Sequence, residues 1–459
     1  MQINSNTNCN NSLAVASYCL IGLKSLLWVT GNYGLLKHDL HYQKEFAVRL
    51  SGLSGNEIYC LAKLGWSPGS IVIGNSVQSL GLIGGISSGV RTLAGGEIQN
   101  LTQLISDGRH AAIDRIEKEA QTKGAQGLTG VTTELRSING MVEFLAIGSA
   151  IHNETHGGEF FSTACSGQEL YCHLDSGYAP RHFSIGNVAY ALGVGRGLTG
   201  SLRQLTSRGE VREFSDMYNH TRHLALERIE QDAQRNGCNA VVDIQTHILP
   251  FGPGVREMLM VGTGSYNPVI GDVDTPVTSE LTGEELWNLT QMGYSPCRLV
   301  LGTSVYALGI VGGIRSWFSS FSKGEVDEVT RLIYEARENC LAHIHADATA
   351  CGADGVIGIK VFVNEISMGL IEVLAIGTAI KRNEAVGTNT EQLLPQAIIR
   401  DRDTFFDESF SDLSRDHKST SNKNPMQQNS PLASCFAGCG CLVFALVAGV
   451  FIIAAIANS

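Results

Sequence analysis

The sequence has few basic residues and no long basic run. Its 33 lysines and arginines are outnumbered by 44 aspartates and glutamates among 459 residues, which gives a net charge of -11. Proteins that bind nucleic acid gather Lys and Arg on one face or along one helix. We therefore expect no nucleic-acid partner for this chain.

Catalytic arrangements are also missing. The sequence contains no convincing Ser-His-Asp or Cys-His set of the kind that nucleophilic catalysis requires. The sequence thus predicts that the protein is not an enzyme.

The segment from Met1 to Ser12 carries no positively charged side chain, which argues against a secretory signal peptide.

The main feature that is present is a stretch of about 100 residues that occurs in three copies. The first landmark of the copies reads Gly65-Trp66-Ser67-Pro68, Gly177-Tyr178-Ala179-Pro180 and Gly293-Tyr294-Ser295-Pro296. Each copy continues with a Gly-Asn or Gly-Thr step, a Leu-Gly step, a long helical pattern and a closing strand. Domains of about 100 residues suit a chain of this length, and the function must first be sought in what the copies share.

The cysteines do not follow the repeats as a disulfide framework would. Cys60 and Cys172 occupy matching places, where the third copy has Asn288. Others have no cysteine counterpart: Cys165, Cys238, Cys297, Cys340 and Cys351. We therefore expect free thiols and a reducing compartment.

The long helical pattern has the same apolar spacing in every copy. In the first copy the predicted helix runs from near Glu97 to about Lys123, with an apolar stripe at intervals of 3, 4, 7, 4 and 4 residues. Apolar, β-branched strands are predicted around it over Ile71 to Val77, Leu128 to Leu135 and Met141 to Ile147. The predicted fold class is α+β, with three tandem β-α-β-β two-layer domains.

One arginine interrupts the apolar stripe at the same place in each copy, as Arg109, Arg222 and Arg337. A buried guanidinium without an anion is strongly unfavourable, so a carboxylate should lie close to each. The carboxylates that recur in step are on the closing strands, as Glu143, Glu257 and Glu372. We predict Arg–Glu pairs between helix and strand, within one repeat or across two. A structural role is the first interpretation, and a ligand or catalytic role is the alternative.

The ends of the chain differ from the repeats. The sequence does not decide the role of the N-terminal segment 1–52, and the polar segment 383–431 reads as a flexible linker. Residues 432–457 carry no charge and are long enough to cross a hydrocarbon core of about 30 Å. Their length and lack of charge predict a C-terminal transmembrane helix that serves as a tail anchor, and basic residues just before them predict that the bulk of the chain is cytoplasmic. The alternative is a hydrophobic helix buried between domains.

Three cysteines lie at the predicted cytoplasmic end of that span: Cys435, Cys439 and Cys441. S-acylation occurs on cysteines in such positions. The alternative is that they are small residues tolerated in lipid.

One set of residues in the first copy matches a known pattern: Ile73-Gly74-Asn75, Gly95-Gly96-Glu97, Arg109, Ala120, Gly124-Ala125, Gly130-Val131 and Ile147-Gly148-Ser149-Ala150. With these residues the copy resembles the bacterial YbjQ family, small proteins labelled as heavy-metal-binding. The resemblance covers 53–152, 165–266 and 280–382, which we take as the three domains. It implies a dodecin-like β-α-β-β fold and ring-shaped oligomers.

The resemblance also implies a metal site, because the family tends to have an acidic strand, Gly-Val-Asp-x-Asp, after the helix. The matching places here hold Thr132 and Glu134, then Gln245 and His247, then Lys360 and Phe362. Lysine and phenylalanine do not ligate divalent ions as acids do. His220 and His223, at i and i+3, offer a second candidate, although solvated histidines are far commoner. No ligand set recurs, so we assign no metal ligand and predict no cofactor.

Together these features predict a tail-anchored, cytoplasm-facing scaffold or binding protein that assembles through its repeats into a homo-oligomer. The alternative is a membrane-associated sensor for a small molecule or a metal ion. A closed, dry centre would favour the scaffold. A polar pocket between copies, lined by recurring residues, would favour ligand binding.

Overall fold

Each repeat folds as three long antiparallel strands with one long helix packed across them. The computed structural model describes residues 50–79, 96–138, 141–153, 155, 157–191, 208–252, 255–308, 327–367, 370–398 and 405–407. In chain order the described elements are α1 (Gly55–Lys63), β1 (Ser67–Ser79), β2 (Gly96–Glu97), α2 (Gln99–Thr122), β3 (Gly127–Ile138), β4 (Met141–His152), β5 (Phe161–Ser162), α3 (Gly167–Asp175), β6 (Ala179–Ala191), β7 (Arg208–Glu210), α4 (Arg212–Arg235), β8 (Ala240–Gly252), β9 (Val255–Tyr266), β10 (Val277–Thr278), α5 (Gly283–Gln291), β11 (Tyr294–Leu308), α6 (Asp327–Ala350), β12 (Gly355–Ser367), β13 (Leu370–Arg382), a 3-10 helix (Pro395–Ala397) and β14 (Phe405–Asp407).

The closing strand lies in the middle of each sheet. β4 pairs antiparallel with both β1 and β3, β9 with β6 and β8, and β13 with β11 and β12. The long helices α2, α4 and α6 span the apolar stripe that the sequence predicts. The predicted α+β class with three tandem domains is therefore confirmed.

Short strands link each repeat to the next. β2 of repeat 1 pairs with β6 of repeat 2, and β7 of repeat 2 pairs with β11 of repeat 3. The three repeats fall in one compact unit. This exchange of edge strands means that the repeats share backbone hydrogen bonds as well as side-chain contacts.

A short helix opens each of the three domains, before its first long strand, and the apolar patterns of the sequence do not predict it. The helices α1, α3 and α5 begin with complete capping boxes, Ser54 with Glu57, Ser166 with Glu169 and Thr282 with Glu285. The pattern Ser/Thr-x-x-Glu is a sequence signal for a helix start. α3 packs against both α1 and α5, so the three short helices connect the repeats along a second line of contact.

The ordered chain extends beyond the predicted start of the linker at residue 383. The 3-10 helix after repeat 3 buries Ala397 in a cluster with Cys60, Tyr171 and Trp287. Thr390 Oγ1 donates a hydrogen bond of 2.9 Å to Asp175. Residues 383–398 thus pack on the repeats because they carry apolar side chains and polar groups with partners there.

The transmembrane part of the predicted fold class is corrected by the helices that the structure describes, as is the single-pass membrane localisation. None of these helices combines the length and the apolar character needed to cross a bilayer. The long ones, α2, α4 and α6, carry charged residues along their exposed faces. Residues 432–457, with Cys435, Cys439 and Cys441, lie outside the described residues.

Candidate functional site: the junctions between repeats

The junction between repeats 1 and 2 is built by helix α2, which packs on two sheets at once. One side of α2 covers its own sheet, and the other covers β6 and β9 of repeat 2. One continuous core results, with Ile105 of the helix and Ile185 of β6 both buried in it. Helix α4 repeats this arrangement on β11 and β13 of repeat 3.

Arg109 on α2 crosses the first junction to Glu257 on β9. Its Nη2 lies 2.6 Å from Glu257 Oε2, and its Nε lies 3.2 Å from Oε1, so the pair is bidentate. Nη1 donates to Thr133 Oγ1 at 3.0 Å, and Asn187 Nδ2 donates to Glu257 at 3.4 Å. Both charged side chains are fully buried. Each is held by hydrogen bonds from both repeats, which is the condition under which a buried pair is tolerated.

Arg222 on α4 crosses the second junction to Glu372 on β13 in the same way. Its Nη2 and Nε lie 2.7 and 3.3 Å from Glu372 Oε1, and Asn364 Nδ2 donates to Oε2 at 3.3 Å. The guanidinium also lies over the ring of Tyr190, 4.9 Å from its centroid. Burial by itself would lower the pKa of Arg222, but the charge of Glu372, together with Tyr190 and the hydrogen bonds to both, leaves the pKa raised, so the group stays charged.

The third arginine and the remaining glutamate are not brought together. Arg337 on α6 is exposed and forms no ion pair within the described residues. Glu143 on β4 is half-buried and accepts a hydrogen bond of 3.1 Å from Asn75 Nδ2. The expectation of a buried arginine in every copy is therefore wrong for repeat 3. The described part of the chain supplies no further sheet to cover the outer side of α6.

A second layer of contacts flanks each ion pair, between the long helices of adjacent repeats. His110 Nε2 lies 3.4 Å from Asp232 Oδ1, and His223 Nε2 lies 2.8 Å from Asp347 Oδ2. The hydrogen bond to Asp232 raises the pKa of His110 although burial opposes it. For His223 burial lowers the pKa, but the hydrogen bond to Asp347, the hydrogen bond to the backbone of Asn219 and the charge of Asp347 together leave it raised. Each junction therefore holds its histidine proton more tightly in the folded state than in the unfolded chain.

The stability of the junctions should depend on pH through these histidines. A raised folded-state pKa means that the stabilisation is complete below the unfolded value of 6.5 and is lost as pH rises through the folded value. We expect the thermal midpoint of the chain to fall between about pH 6 and about pH 8. In the His110→Gln, His223→Gln double variant that fall should be smaller. The exposed His220→Gln variant is the matched control, and an identical pH profile in all three proteins would contradict the assignment.

A buried polar cluster lies near the first junction, and its residues do not recur in the other repeats as a pattern. Cys165 Sγ lies 3.0 Å from His173 Nδ1 and 2.9 Å from Thr263 Oγ1, all of them buried. Asp243, also buried, has a φ of 56° at the strand bulge where the other repeats have glycine. Burial raises the pKa of Cys165, so its thiol stays protonated and is a poor nucleophile. The Cys–His contact is thus part of the buried packing beside the first junction.

A surface pocket of 660 Å³ lies beside repeat 1. Its lining residues belong to that repeat and its immediate continuation and include Lys123, Gln126 and His152. The pocket thus differs from the inter-repeat pocket that a ligand-binding sensor would require.

Comparison with known proteins assigns the repeats. The model of a family named YbjQ and described as "Putative heavy-metal-binding" matches residues 68–154, 181–266 and 291–383, more than half of the chain. The chain belongs to the YbjQ family. Each YbjQ match begins at or near the first long strand of a repeat and ends at or just after its closing strand.

Curated relatives share one or more YbjQ repeats with this chain. The encapsulin nanocompartment protein Rv1762c of Mycobacterium tuberculosis is 31% identical over 248 residues, which is 51% of this chain and 91% of the relative. A UPF0145 protein of Methanoregula boonei is 42% identical over 83 residues, 18% of this chain and 69% of the relative. A UPF0145 protein of Shewanella frigidimarina is 37% identical over 82 residues, 18% of this chain and 77% of the relative.

The described residues of this YbjQ chain do not fit the metal site that the family description implies. Within the described ranges no group of three His, Cys, Asp or Glu residues is placed to hold a metal ion. His223 is engaged by Asp347, His220 is exposed, and Glu134 pairs with Arg136 at 2.7 Å. The equivalent of Glu134 in repeat 3 is Phe362, which has no ligand atom.

Proposed function

We propose that this protein is a scaffold whose YbjQ repeats act as one rigid body that assembles with further protein subunits, including copies of itself. The observation that carries the proposal is the junction, which the chain builds twice with a buried Arg–Glu pair, a helix shared by two sheets and an exchanged edge strand. The buried Arg–Glu pairs hold adjacent repeats together. The proposed scaffold function requires no catalysis and no cofactor.

The name of one relative supports an assembly role. Rv1762c is called an encapsulin nanocompartment protein, and it aligns with this chain over 91% of its own length. A name that refers to a nanocompartment is consistent with a subunit that contacts other proteins. For this chain the role of assembly component is our proposal.

The second candidate is binding of a metal ion or a small molecule, which the family description favours. It needs a set of converging ligands, whereas His220 and His223 alone supply at most two. We rank it second because four of the six charged groups that recur in the repeats are paired with one another, as Arg109 with Glu257 and Arg222 with Glu372.

Native mass spectrometry of the full chain, combined with total metal analysis, separates the two candidates. We expect the mass of the assembly to be unchanged by EDTA, with no metal in whole-number ratio to the chain. The His223→Gln variant should give the same result, because that side chain is assigned to the contact with Asp347. Metal in whole-number ratio, together with an assembly that dissociates when EDTA removes it, would contradict the scaffold proposal.

A further inference from the structure

The outer face of the repeat 1 sheet is apolar, and none of the described elements covers it. Ile73 and Val77 on β1 are 55% and 48% exposed. Their counterparts in repeat 2, Ile185 and Ala189, are 3% and 0% exposed because helix α2 covers them. Repeat 3 shows the same burial at Leu301 and Val305 under helix α4. The face of repeat 1 therefore corresponds to the faces that bind α2 and α4, but no described helix packs on it.

The edge strand β1 of that sheet has no added strand at its C-terminal end among the described residues, whereas near its start Ile71 N donates a hydrogen bond of 2.8 Å to the oxygen of Leu50. β6 carries β2 on its free edge, and β11 carries β7, in both cases next to the residues that the preceding repeat's helix contacts. β1 is an edge strand with β4 as its only partner in the described sheet. The position equivalent to Tyr190 and Tyr306, which take these added strands, is Gln78. Within the described ranges, repeat 1 thus has neither the covering helix nor the added edge strand of a junction.

The outer side of α6 presents the matching half. Arg337 occupies the place of Arg109 and Arg222, yet it is exposed, and Tyr334 one turn earlier is 60% exposed. Thr330 is exposed too, whereas its counterpart Thr102 is buried and accepts a hydrogen bond of 3.0 Å from Ala189 N across the first junction. Helix α6 therefore has the residues for a junction, but no sheet among the described residues receives its outer side.

We propose that α6 of one molecule docks on the β1–β4 face of a second copy of this chain, with Arg337 pairing with Glu143 as Arg109 pairs with Glu257. The proposal rests on the proposed scaffold function and specifies its partner and its interface. Glu143 is prepared for this role, because Asn75 holds it as Asn187 holds Glu257. Since the two surfaces differ, the contact is head-to-tail and propagates until a ring closes or a fibre forms.

The intermolecular junction should be weaker than the two internal ones. Where repeats 1 and 2 have His110 and His223, repeat 3 has Glu338, which would face Glu119, the counterpart of Asp232 and Asp347. Glu119 is already paired with Lys123 at 2.6 Å, which reduces but does not abolish the repulsion between the two carboxylates. We therefore expect reversible association that depends on protein concentration.

Light scattering after size-exclusion chromatography of the full chain tests this interface, at concentrations up to about 100 micromolar, where a micromolar Kd gives near saturation. We expect the wild type to show multiples of the chain mass. Arg337→Glu and Glu143→Arg should each raise the apparent Kd by about tenfold or more, because each places like charges at the junction. An equimolar mixture of the two variants should associate again, since every junction in the mixture can pair opposite charges.

Two further variants make the test sharper. Glu338→His supplies the residue that repeats 1 and 2 have at this place and should tighten association, whereas Arg331→Glu, an exposed change elsewhere on α6, should leave it unchanged. A monomeric wild type at the highest concentration would overturn the proposal. Single variants that associate as the wild type does would overturn it too. If the assembly still forms in those variants and contains no metal, the scaffold function stands although the interface is wrong.

Discussion

Replacing Glu257 with glutamine should lower the free energy of unfolding by about 3 to 5 kcal/mol, because Arg109 is left charged and buried without an anion. Neither side chain is accessible to solvent in the folded chain, so water cannot replace the lost carboxylate. Urea denaturation followed by tryptophan fluorescence and by circular dichroism measures the loss. Hydrogen exchange should show that the loss is concentrated in α2, β6 and β9.

A double-mutant cycle separates the interaction from the cost of burial. Arg109→Met combined with Glu257→Leu should cost less than Glu257→Gln alone, because no uncompensated charge remains. Glu143→Gln is the matched control at the equivalent strand position, where the carboxylate has no arginine, and it should cost less than about 1 kcal/mol in dilute protein. If Glu257→Gln and Glu143→Gln have equal effects, the buried pair does not hold the junction.

Gly186→Ala should also be strongly destabilising, by about 3 kcal/mol. An added Cβ would lie 2.2 Å from the carbonyl oxygen of Ala225 and 2.6 Å from the nitrogen of Ile229, both on the backbone of α4. Helix α4 cannot move outward to relieve the clash, because its other side is packed on the sheet of repeat 3. Thermal and urea midpoints should both fall.

Two glycines provide controls for this substitution. In Gly302→Ala the added Cβ would likewise meet a helix backbone, at 2.3 Å from the carbonyl oxygen of Cys340. Helix α6 can shift, however, because no described element covers its outer side. Its cost should be smaller, about 1 kcal/mol in dilute protein. Gly55→Ala, in a helix with nothing within 4 Å of the added Cβ, should be neutral or slightly stabilising. Equal costs at Gly186 and Gly302 would show that the covering repeat does not constrain the helix.

The described helices do not support the membrane attachment that the sequence predicts. A long run of uncharged residues is a signal of composition alone, and the described helices of sufficient length are amphipathic and pack on sheets. The scaffold proposal stands on the junctions and does not use that attachment.

The sequence by itself determined the repeat and its elements. The apolar spacing of α2, α4 and α6 and the β-branched strands around them are local patterns, and local patterns can be read without knowing what they pack against. The recurring Arg and Glu were visible for the same reason. The capping boxes of α1, α3 and α5 were equally readable, because they depend on residues three apart.

Only the tertiary structure decided which arginine meets which glutamate. Arg109 has equivalent glutamates in three repeats, and the sequence does not distinguish Glu143 of its own sheet from Glu257 of the next one. The choice follows from the side of the sheet: Glu143 and Glu257 both project away from their own helix, so only the helix of the preceding repeat can reach such a carboxylate. For the same reason an identical residue has opposite environments, since Arg109 is enclosed by a following repeat while Arg337 has none in the described chain.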